Sequence, residues 1–185
     1  MKNKALSRFV LLKIVFAAVL AALTCVATMV VTIPSPMGGF LNLGDGFVLL
    51  SGWLLGPAYG FAAAGLGSAL ADLLLGYAYY VPGTFVIKGL SALIFAFLAP
   101  ALVRLMKKHE FSAHLAASAT AELWMVAGYF LYAATVRGKG LAAAASIPGN
   151  LAQGAAGVIL FLLFSAVLKK TGIREKFFAA PDGRR

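Results

Sequence analysis

No charged residue interrupts Ile14–Ile33, a stretch of 20 residues. A helix of that length crosses about 30 Å of hydrocarbon. Pro34 and Pro36 then end it. A second uncharged run, Gly46–Ala71, has 26 residues and reads either as one long helix or as two parted at Gly56-Pro57. Charge decides between them. The basic segments Arg104–Lys108 and the C-terminal tail belong on the same side as the basic N-terminus. One helix in the second run gives five spans and separates these clusters. A break at Gly56-Pro57 gives six and puts them together. The pattern therefore predicts an all-α polytopic membrane protein: a single bundle of six transmembrane helices with both termini cytoplasmic. The spans are roughly 9–33, 43–56, 57–76, 83–106, 112–136 and 147–168, and 177–185 is a flexible tail.

The second span is short, since 14 residues rise only about 21 Å as a helix. It has to be tilted, partly extended or packed inside the bundle. Outer loops at 34–42, 77–82 and 137–146 hold only Arg137 and Lys139, against thirteen Lys and Arg assigned to the inner side. Gly60, Ala64, Ser68 and Asp72 repeat every four residues and share one helix face, where small side chains let backbones approach. Ala17/Ala21 and Ala18/Ala22 make a second small-residue surface on the first span.

Composition agrees with the pattern. The chain is 62% hydrophobic and 12% charged, against roughly 25% charged in a soluble domain. Its net charge of +10 flanks apolar spans, so it points to the lipid bilayer and its anionic headgroups rather than to nucleic acid. The apolar run after Lys13 is too long for a cleaved signal peptide. Cys25 stands alone, which excludes an internal disulfide and a cysteine metal site.

Polar residues inside the apolar pattern carry the functional signal. Charge within a span costs about 2.5–3.5 kcal/mol and faces a cavity or a partner. With six spans, Asn42 and Asp45 fall at the outer start of the second and Asp72 near the outer end of the third. Lys88 lies about 9 Å below the outer surface. Asn150 and Gln153 open the sixth span on one face. Glu122 sits near mid-depth on the fifth, with Tyr129 two turns toward the outside. Carboxylates, an ammonium, amides and tyrosine thus gather in the outer half, an inventory suited to a small polar aromatic ligand. Lys88 either meets that ligand or balances Asp45 and Asp72. Tyr77, Tyr79 and Tyr80 read as an interfacial belt, Trp53 as an inner anchor, and His109 and His114 as solvated. No phosphate-binding loop, metal pattern or nucleophile–base pair supports catalysis.

At these residues the chain resembles the S components of energy-coupling factor (ECF) vitamin transporters. The resemblance rests on Asn42-Leu43-Gly44-Asp45, Leu55–Gly60, Gly67–Leu74 and Pro82–Gly89, and continues through Glu122–Tyr132 and Asn150–Gly157. It is nearest the branch grouping riboflavin-type S components with those assigned to pyridoxine or hydroxymethylpyrimidine. It implies a bacterial plasma-membrane subunit that captures a water-soluble vitamin or precursor near the outer face. A pyridoxine- or hydroxymethylpyrimidine-like heterocycle is favoured, with riboflavin next. It also implies docking, through Ala17, Ala18, Ala21 and Ala22, onto a transmembrane coupling subunit served by two cytoplasmic ATPases. The chain itself then needs no cofactor and no metal. A stand-alone ion- or proton-coupled carrier is the alternative, and a membrane lipid enzyme a weaker one.

Overall fold

The structure, a computed structural model, describes residues 2–35, 38–107 and 109–172. The expected tail at 177–185 lies outside the described residues. Among the described residues there are six α-helices: α1 Lys2–Val30, α2 Asp45–Leu55, α3 Pro57–Leu74, α4 Val81–Leu105, α5 Glu110–Thr135 and α6 Ile147–Thr171. Two short elements were not expected. An antiparallel pair, β1 Ile33–Pro34 with β2 Phe40–Leu41, joins α1 to α2, and a 3-10 helix, Gly140–Ser146, leads into α6.

The break at Gly56-Pro57 falls where the charge pattern placed it. Gly56 has φ 78°, a conformation that suits glycine and strains other residues. Pro57 follows at the first position of α3, where its missing N–H is no loss. The short α2 is packed within the bundle, touching α1, α3, α4 and α6. Ten of its eleven residues are buried, which explains why it is apolar around its whole circumference. Around it, α3 packs on α1 and α4, α4 on α5, and α5 on α6.

By length and composition, Phe9–Val30, Val81–Leu105 and Gly140–Thr171 are apolar enough to cross a membrane. Large apolar side chains stand exposed along α1, α3, α4, α5 and α6, among them Val26, Leu70, Phe97, Leu123 and Leu163. Such a surface suits lipid and would be a liability in water.

The small-residue faces resolve differently. Gly60, Ala64, Ser68 and Asp72 are all buried. A Cβ at Gly67 would run into the main-chain carbonyl of Ala21, so the α1–α3 approach depends on that glycine. On α1 the two alanine pairs part company. Ala17 and Ala21 pack against the core, whereas Ala18 and Ala22 face outward.

Two expectations are corrected. Trp53 is buried rather than an interfacial anchor, because α2 is enclosed on all sides; its ring meets Phe161 edge-on at 6.3 Å. His114 is 5% exposed rather than solvated. It sits in an aromatic nest of Trp53, Phe95 and Phe161, with ring centroids 5.8–6.2 Å away. His109, at the α4–α5 turn, is exposed as expected.

Candidate functional site

Four of the expected residues are held together by the segment that enters α2. The Asn42 side chain accepts a hydrogen bond from the Gly44 N–H at 2.9 Å, a local turn that Asn favours. This delivers Asp45 to the first turn of α2, where a carboxylate also meets the positive end of the helix dipole. Lys88, two turns into α4, donates to Asp45 Oδ1 in an ion pair with side-chain exposures of 3% and 0%. Gln153 on α6 donates from Nε2 to Asp45 Oδ2 at 2.6 Å. Its Oε1 accepts from the Asn42 N–H at 2.9 Å. Asp45, Lys88, Gln153 and Asn42 thus tie α2, α4 and α6 together through a chain of satisfied polar contacts.

Above this network lies a cavity of about 40 Å³. Asn42, Asp72, Tyr129, Asn150 and Gln153, all singled out in the sequence, line it. Tyr129 donates to Thr84 Oγ1 at 3.0 Å, and Thr84 is hydrogen-bonded in turn to the Asp72 carboxyl. Asp72 Oδ2 has no hydrogen-bond partner among the described residues. Such a group, buried beside a cavity, is ready for a donor.

Asp45 and Lys88 do not line the cavity. They satisfy each other, and Lys88 also lies 5.4 Å from the centroid of the Tyr129 ring. Glu122 does not line it either. It lies against Gly154 of α6, and both border a groove between α5 and α6. The reading that placed Glu122 among the outer cluster is corrected to that extent. One turn of α5 carries a side chain about 5.4 Å along the axis, and Glu122 is almost two turns below Tyr129.

Sequence reasoning missed several wall residues. Ser35, Gly39 and Phe40 come from the β1–β2 region, Tyr80 and Thr84 from the entry to α4, and Ser146 from the end of the 3-10 helix. Tyr80, Thr84 and Lys88 are spaced by four, and that shared helical face was the available signal for the first two. Nothing in the sequence marked Phe40 or Ser146.

Tyr80 is 8% exposed, so it belongs to the cavity wall rather than to an interfacial belt; Tyr79, 40% exposed, fits the belt. The Arg137 guanidinium stacks 3.7 Å above the Tyr79 ring and 5.5 Å from that of Tyr80. Burial pushes the Tyr80 phenol above its ordinary pKa, with Arg137 opposing. Tyr80 therefore stays a neutral hydrogen-bonding phenol at physiological pH.

Enclosed polar groups within a bundle of apolar exterior define an α-helical membrane protein. Comparison with known proteins gives the class its family. The family model for the ECF-type riboflavin transporter S component matches residues 8–170, and the chain belongs to that family. It is a family of substrate-binding transporter subunits, not of enzymes. A Pyrococcus woesei protein, described as an uncharacterized protein in gap 3'region, is 34% identical over 146 residues, covering 78% of this chain and 93% of that relative. A solved structure of the S component of a bacterial ECF transporter matches with a TM-score of 0.62 at 19% identity, covering 92% of this chain and 98% of that one. At that identity the likeness speaks for the fold.

Proposed function

We propose that this chain captures a B-vitamin-type aromatic heterocycle from outside the cell for an ECF importer. In this reading all six helices cross the plasma membrane, with both termini on the cytoplasmic side. The cavity beneath β1–β2 is the capture site. A coupling subunit and ATPase partners supply the energy, so the chain itself uses no nucleotide. The observation that carries the proposal is the unpartnered Asp72 oxygen in a cavity that also presents Asn150, Tyr80 and Tyr129. A ring N–H, amino or hydroxyl donor would meet Asp72, an acceptor or donor edge would meet Asn150, and the ring face would lie against tyrosine.

The family description makes riboflavin one candidate. The small cavity volume favours a single ring, pyridoxine-like or hydroxymethylpyrimidine-like, because it requires less rearrangement of the walls. Mass spectrometry of ligand released from the purified protein tests this. The expected result is one aromatic heterocycle, with affinity about 10-fold weaker in Asp72→Asn and in Asn150→Ala, as for loss of one hydrogen bond to a charged or buried partner. Wild-type affinity in both variants would remove the cavity from consideration.

A further inference from the structure

Glu122 is 4% exposed, and neither of its carboxyl oxygens has a hydrogen-bond partner among the described residues. A buried polar side chain with no partner is rare and asks for an explanation. Asp45 and Lys88 act on it electrostatically, but the Lys88 ammonium donates to Asp45 and not to Glu122. Glu122 instead borders a groove of about 210 Å³ between α5 and α6. The other walls are apolar: Leu123, Val126, Leu151 and Val158, with Ala119 and Ala155 at the rim. Leu123 is 60% exposed and Leu151 46%, so the groove opens sideways onto the lipid-facing surface, away from the outer cavity.

We propose that this groove is a second binding site, entered from the bilayer, for a compact apolar molecule carrying one O–H or N–H donor. The apolar walls hold the body of the molecule and Glu122 accepts its single donor. The size is informative. An apolar cavity of about 150 Å³ holds benzene, so the groove accommodates one ring with a short substituent. Gly154 sets the floor: a Cβ there would come within 3.0 Å of the Glu122 Cβ and 3.4 Å of its Oε2. The absent side chain is what lets the carboxyl lie between the helices.

A hydrophobic carbodiimide, dicyclohexylcarbodiimide, reports on such a carboxyl directly. The protonated acid adds across one C=N bond. Its oxygen bonds the central carbon, its proton moves to nitrogen, and an O-to-N acyl shift leaves a stable N-acylurea with nothing expelled. The full chain in lipid nanodiscs is treated and the adduct mapped by mass spectrometry. One adduct is expected, at Glu122, and none in Glu122→Gln. Benzyl alcohol is expected to slow labelling about 5-fold, the worth of one net hydrogen bond, while toluene leaves it unchanged. Ala155→Leu, a substitution at the exposed rim that leaves the core alone, is expected to slow it as well. The proposal is overturned if the adduct maps to Asp72 or Asp45, if no adduct forms, or if toluene protects as well as benzyl alcohol.

Discussion

Replacing Lys88 by methionine keeps most of the side-chain volume and removes the ammonium. Asp45, 0% exposed, then keeps only the Gln153 amide as a partner. Breaking a buried ion pair from one side costs about 3–5 kcal/mol, because the surviving charge stays buried without compensation. For a chain of this length about 1 kcal/mol shifts the melting temperature by about 2–4 °C. Lys88→Met is therefore expected to lower the melting temperature in nanodiscs by roughly 6–20 °C, combining those two figures. The double variant Lys88→Met/Asp45→Asn leaves no orphaned charge. Its loss should be smaller than the sum of the single losses by about 0.5–3 kcal/mol, the range for residues in direct contact. Thermal unfolding followed by intrinsic tryptophan fluorescence measures all three. Additive losses, or a Lys88→Met variant as stable as wild type, would refute the pairing as a stabilising element.

The two faces of α1 give a second prediction: Ala22→Leu, on the outward face, is expected to abolish co-purification with the coupling subunit while ligand affinity stays unchanged. Ala21→Leu, which faces the core, is expected to lower the melting temperature whether or not a partner is present. Gly67→Ala places a methyl group against the Ala21 carbonyl and is expected to cost about 1–3 kcal/mol, the usual range for overpacking. A thermal shift assay reads that loss, and an unchanged melting temperature would mean that α1 can slide freely on α3.

The bundle was legible where one physical rule dominated. Gly56-Pro57 combines a residue that tolerates positive φ with one that starts helices, and basic flanks required a break there. Asn42, Asp72, Asn150 and Gln153 were legible because polar groups near span ends have few places to go in an apolar chain. Glu122 was not, because sequence gives depth and approximate face but not which helix closes over that face. Tyr129 looks toward Thr84 of α4, whereas Glu122, nearly two turns below, meets Gly154 of α6. The β1–β2 pair was hidden for another reason. Its strands are two residues long, and the prolines and glycines around them read as a plain loop.

The enclosed acids do not all find partners among the described residues. Asp45, Asp72 and Glu122 are 5% exposed or less, with Lys88 among them at 2%. Lys88 and Gln153 answer Asp45 completely. Among the described residues Asp72 keeps one unpartnered oxygen and Glu122 keeps two. Each buried ion costs several kcal/mol unless its lone pairs are met, and an apolar side chain of similar size would avoid that cost. Stability therefore accounts for Asp45 and Lys88 but not for the other two acids. Their surroundings divide them: Asp72 faces the outer polar cavity and Glu122 the lipid-side groove. A donor arriving from water relieves the first, and a donor arriving from the bilayer relieves the second. If both proposed sites exist, they take separate ligands, and loading one is expected to leave the other acid as reactive as before.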